Sequence, residues 1–164
     1  MQEQWLNNAL QRLNSNGYKI SANVNYQGKT FWAVAHKSGL SMSKFGNSEI
    51  FFVFVEIPNL DYQSLRQFSD FAFNYAIASK SFPLPCGFFE HVSCFPVAVT
   101  ENIDAATAQA VSGETPPKHW AANEMPVVYS RSQRMLHYFQ GTPLWGAAYF
   151  NGYRRTILEF LQPN

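Results

Sequence analysis

The chain has 164 residues, 46% of them hydrophobic, 16% aromatic and only 14% charged, with a formal net charge of +1. That length supports one substantial core, and the near-neutral balance, with no basic run beyond Arg154-Arg155, argues against binding nucleic acid by phosphate neutralisation. No apolar stretch reaches the roughly 18 residues of a membrane span, Met-Gln-Glu-Gln-Trp has no secretory signal pattern, and two cysteines are too few for a disulfide framework, so a cytoplasmic home is expected.

Trp5, Leu6, Ala9, Leu10 and Leu13 recur at helical spacing, and Asn14-Ser15-Asn16-Gly17 supplies a stop. From Tyr18 to Tyr26 the residues alternate, which predicts a strand with Tyr18, Ile20, Ala22, Val24 and Tyr26 on one face. Gly28 turns the chain into a second strand, Thr30 to His36, and Lys37 to Ser48 reads as a Ser- and Gly-rich loop. Ile50 to Val55 is apolar on both faces, as in a strand covered on both sides: Phe52 and Phe54 point one way, Phe51, Val53 and Val55 the other.

Pro58 ends that strand and Asn59 is positioned to cap a helix running to about Lys80. Its apolar face of Leu65, Phe68, Phe71, Ala72, Tyr75 and Ala76 is widened by Phe73 and Ile77, and a helix so broadly apolar needs more than one neighbour. A second copy of the chain is one such neighbour. After the breaker cluster Ser81 to Gly87, Phe88 to Thr100 reads as a strand in which Pro96 demands an edge position or a bulge. Asn102 caps a short helix, Ile103 to Val111, and 112–118 is a loop. Pro126 to Tyr129 and Met135 to Phe139 form a hairpin, and Thr142-Pro143 starts a last helix to about Leu161, with Gly146 and Gly152 marking a kink or a close approach. Phe95-Pro96-Val97 and Met125-Pro126-Val127 echo one another, as similar edge-strand solutions would.

The fold class expected is therefore α+β: a mainly antiparallel sheet with helices packed on it, in the order α-β-β-β-α-β-α-β-β-α. One domain spans 1–164, with an irregular insertion around 101–122. The order helix, three strands, helix, strand over residues 3–100 resembles that of the type III secretion chaperone-like folds, and that resemblance implies a protein-binding homodimer. The same order also occurs in a class of nucleases, but Phe52 to Ile57 lacks the Glu-x-Lys or Gln-x-Lys of their third strand.

Few residues group as chemistry requires. Cys86, His91 and Cys94 are metal-ligand types, yet three-residue spacing on a strand sends His91 and Cys94 to opposite faces, and no fourth ligand is near. In 116–124 a Pro pair, His119, Trp120 and Glu124 fall close together. Either His119 and Glu124 are a general acid/base pair with Trp120 as a binding wall, or Trp120 folds the loop onto the core and leaves the other two solvated. His119, Trp120 and Glu124 are the ligand-binding candidates. Asp61 reads as a helix N-terminal charge, and Glu56 and Glu90 are a conceivable cross-sheet pair. Phosphate-binding glycine loops, the Gly-x-Ser-x-Gly elbow and His-Glu-x-x-His do not occur. No catalytic residue, metal or cofactor is assigned. The function expected is a non-enzymatic protein-interaction domain that self-associates; the alternative is a small-molecule-binding protein or enzyme with its pocket near His119 and Trp120.

Overall fold

The computed structural model describes residues 2–41, 46–81, 90–144 and 147–163. Helix α1 (Gln2–Ser15) leads into strands β1 (Lys19–Tyr26), β2 (Lys29–Ser41) and β3 (Gly46–Glu56). Helix α2 (Tyr62–Ser79) crosses to β4 (Glu90–Thr100), followed by α3 (Ala105–Gly113) and the short strands β5 (Lys118–His119) and β6 (Ala122–Glu124). The hairpin β7 (Val127–Ser130) and β8 (Met135–Tyr138) and the helix α4 (Ala147–Leu161) complete the chain. This is the expected α+β order with the β5–β6 hairpin added, and the short helix expected within 101–122 is α3.

All eight strands share one sheet, in the order β1-β2-β3-β4-β6-β5, with β7 also on β4 and β8 beyond it. The sequential pairs β1–β2, β2–β3, β5–β6 and β7–β8 are antiparallel, while β4 runs parallel to β3, β6 and β7. The parallel β3–β4 pair requires a crossover, which α2 supplies. Three aromatic and aliphatic clusters follow. Phe52, Phe54 and Phe95 meet Leu13 of α1 and Ile157 and Phe160 of α4. Across the sheet Phe51, Val53 and Cys94 meet Ala72, Phe73 and Ala76 of α2, and Ala98 and Val128 meet Leu65 and the α3 residue Val111. The assignment of Phe52 and Phe54 to one side of β3 and Phe51 and Val53 to the other is thus met, and all four are buried. Between the sheet-covering helices, Trp5 donates its indole N–H to Leu161 O at 2.8 Å and Arg12 donates to Phe160 O and Gln162 O, which fastens α1 to the end of α4.

Several expectations are corrected. Residues 37–41 are strand, not loop: they pair with β3 from Lys37↔Ile50 to Ser41↔Gly46, because ladder hydrogen bonds join backbone groups whatever the side chains. The alternation of β1 does not keep one face. Ile20 packs with the α1/α4 cluster, whereas Val24 and Tyr26 pack with the α2 cluster, and between them Asn23 is left-handed at φ 52°. The helix caps are Asp61 and Asp104, not Asn59 and Asn102. Each carboxylate accepts the N–H three residues on, Ser64 at 2.6 Å and Thr107 at 2.8 Å, and a charged acceptor suits the positive end of a helix better than an amide. These bonds hold both carboxyls below the usual range. Helix α4 starts at Ala147, not at Thr142-Pro143, and its Arg154 Nη1 bonds the carbonyls of Phe139 and Gly141 ahead of it; Gly146 lies outside the described residues, and Gly152 has open space beside it and no close neighbour.

Pro96 stands neither at an edge nor at a bulge. Val92 N–H donates to Ala121 O and Cys94 O accepts from Met125 N–H, so alternate residues of β4, Pro96 among them, turn their backbone groups to the β6/β7 side. There the neighbour itself changes: β6 pairs with Val92–Cys94, β7 with Val97–Thr100. The register Val97↔Val127 sets Pro96 beside Pro126. The echoing Pro-Val segments are parallel neighbours, and the missing donor of Pro96 falls at the junction between β6 and β7.

Candidate functional site

Where β3, β4 and β6 run under α2, each contributes a glutamate that is sealed from solvent: Glu49, Glu90 and Glu124. Buried carboxylates demand partners. Glu49 has His36 Nε2 at 2.7 Å and the Ser81 N–H at 2.9 Å. Glu90 receives Lys80 Nζ at 2.6 Å, from the residue that closes α2. Glu124 binds Ser69 Oγ at 2.5 Å, His119 Nε2 at 2.8 Å and Arg66 Nη1 at 3.3 Å. The helix that covers this face therefore delivers a donor to two of the three carboxylates through its side chains, and Ser81 just beyond it reaches the third.

The structure brings His119 and Glu124 together and sends Trp120 away from them. Residues 118–124 are a tight hairpin in which His119 pairs with Ala122 and Ala121 is left-handed at φ 51°. His119 lies flat on Phe73, ring centroids 3.9 Å apart and 15° from parallel. Trp120, at the tip, is 80% exposed. The reading in which Trp120 folds the loop onto the core is thereby corrected: Trp120 stands outside, and Glu124 is inside, not solvated. A two-residue turn leaves its tip outside whatever its hydrophobicity, while strand alternation aims His119 and Glu124 inward. Glu124 takes three donors, from His119 and from Ser69 and Arg66 of α2, so the pair ties the hairpin to α2.

His119 also answers the question posed by α2. Phe73 is buried by the ring of its own chain, and Ile77 packs against the same cluster, so the breadth of that apolar face does not call for a second copy.

The other candidates disperse. Glu56 lies opposite Val99 and takes Arg131, while Glu90 lies opposite Asn47 at the other end of β4, so they form no pair. His91 Nε2 bonds Asn123 Nδ2 at 2.6 Å, and Cys94 is a buried free thiol, pushed above its ordinary pKa by desolvation and then by Glu124. Cys86 lies outside the described residues. Among the described residues no group of three His, Cys, Asp or Glu is arranged to hold a metal, and no helix is long and apolar enough to cross a membrane.

Two cavities stand out, and neither includes His119, Trp120 or Glu124. A broad depression of about 1260 Å³ runs beside α4, lined in part by Arg12, Arg154 and Arg155. Arg12 and Arg154 there bond backbone carbonyls. A narrower slot of about 200 Å³ lies between the β2 and β3 ends and the first half of α2. Sequence reasoning did not find the carboxylate set, although a signal existed: Glu49 shares parity with Phe51 and Val53, and Glu90 with Val92 and Cys94, which places charges on apolar faces. The chain matches no protein-family model, and neither a curated protein nor a solved structure is significantly similar to it.

Proposed function

We propose that this domain is a non-enzymatic protein-interaction module that self-associates through the β5–β6 hairpin. The observation that carries the reading is Trp120, 80% exposed on a turn whose two flanks are fixed. His119 is stacked on Phe73 and bonded to Glu124, which is in turn bonded to α2. An indole held this way loses little freedom on binding, and Trp is favoured among residues that dominate contact energies. Burying one removes on the order of 150–250 Å² from water, which suits a weak, reversible contact. A net charge of +1 sets little repulsion between copies. The groups best suited to acid/base work, Glu49, Glu90 and Glu124, are enclosed and each is bonded to a neighbouring side chain, which supports a binding role over catalysis.

The test is sedimentation velocity over a wide concentration range on the wild type and Trp120→Ala. The wild type should show a concentration-dependent rise above monomer mass that the variant lacks, with both melting at the same temperature because Trp120 makes no core contact. A wild type that stays monomeric, or a variant that associates equally, overturns the proposal.

A further inference from the structure

The narrow slot lies at the corner of the sheet remote from the β5–β6 hairpin and is independent of it. Its walls are Phe31, Val55, Ile57, Phe68 and Phe71, and its rim carries Lys29, Thr30, Ser64 and Gln67. Phe31 is buried and its ring meets those of Phe68 at 6.4 Å and Phe71 at 5.6 Å, whereas Val55, Ile57, Phe68 and Phe71 are each only partly covered and leave apolar surface facing this space. Lys29 follows the β1–β2 turn at Gln27-Gly28, is exposed, and holds its ammonium 4.8 Å from the centre of the Phe71 ring. None of the ion pairs among the described residues uses Lys29. The acidic cap of α2, Asp61, accepts from the Ser64 N–H.

We propose that this slot binds a small aromatic carboxylate, its ring against Phe31, Phe68 and Phe71 and its carboxylate at Lys29. Size sets the first limit. At about 200 Å³ the space is below the roughly 300 Å³ at which ordinary small-molecule sites begin, so it takes a single ring with a short chain. The walls set the second. Three phenyl rings offer faces and edges to a fourth, the geometry in which aromatic pairs gain beyond area burial. The charge sets the third. An ammonium on a flexible four-carbon stem swings from the Phe71 face to an anion in the slot, whose lining also includes the polar residues Ser64 and Gln67.

The experiment compares 3-phenylpropanoate with its neutral amide, 3-phenylpropanamide, by saturation-transfer NMR and calorimetric titration. The wild type should bind the acid about threefold to fivefold more tightly than the amide, the range of a partly exposed ion pair. In Lys29→Gln that preference should vanish while amide binding persists, and in Ser64→Phe, which fills the slot, both ligands should be lost with folding intact by circular dichroism. Equal affinity of the wild type for acid and amide, undiminished acid preference in Lys29→Gln, or no saturable binding of either ligand overturns the proposal.

Discussion

Ser69→Ala tests whether the enclosed carboxylates are held as described. Ser69 is fully buried in α2 and donates to Glu124 Oε1 at 2.5 Å. A hydrogen bond to a charged group contributes about 1.5–3 kcal/mol. Two effects offset part of this. Ala is the better helix former by about 0.5 kcal/mol. Arg66 Nη1, at 3.3 Å on the same oxygen, can also draw closer, since its side chain is 27% exposed and free to adjust. A net loss of about 1–2 kcal/mol is expected, read as a lower urea midpoint and a melting temperature reduced by roughly 2–8 °C for a chain of this size. Repeating the substitution in a Glu124→Gln background isolates the charge. The hydroxyl there meets a neutral amide, so its removal should cost about half as much. A loss below about 0.5 kcal/mol in the wild-type background, or the same loss in both, would refute the account of Glu124 as an anion stabilised by α2.

Gly141→Ala should destabilise by about 1–3 kcal/mol, because a Cβ there would overlap the buried ring of Phe139, and a core ring cannot retreat without moving its neighbours; denaturant titration measures it, and an unchanged midpoint contradicts the packing described. His137 provides the pH dependence. Burial penalises its imidazolium and lowers its pKa from 6.5, so the unfolded chain binds the proton more readily: its contribution is complete above about pH 6.5 and is lost as pH falls through the lower folded value. The urea midpoint should therefore fall less between neutral and mildly acidic pH in His137→Gln than in the wild type, and superimposable profiles would exclude this origin.

Periodicity carried much of the architecture. The double-faced apolar run of β3 needed a central position, and α2 needed neighbours on two sides; both requirements are met. The identity of the second neighbour was not legible, because it depends on a hairpin only seven residues long returning across β4 to place His119 on Phe73. Pro96 misled for a related reason. A proline's missing donor says that one side of a strand lacks a partner at one point, and here a gap between two short strands meets that need as well as an edge would. The candidate site was half visible: proximity joined His119 to Glu124, but only the fold shows that Ser69 and Arg66, far away in sequence, complete the carboxylate's shell.

The left-handed Asn23 has a consequence for how the molecule keeps to itself along its open flank. β1 pairs on one side only, so its outer backbone offers a row of donors and acceptors to any extended chain that drifts alongside. Amyloid-like stacking needs that row to be straight and its side chains to alternate without interruption. At Asn23 the strand transfers its apolar side chains from one layer of the molecule to the other, and a flat intruder that matches Lys19–Ala22 meets the wrong parity from Val24 onward. A protein with so few charges to keep its copies apart thus carries a geometric guard against uncontrolled strand addition.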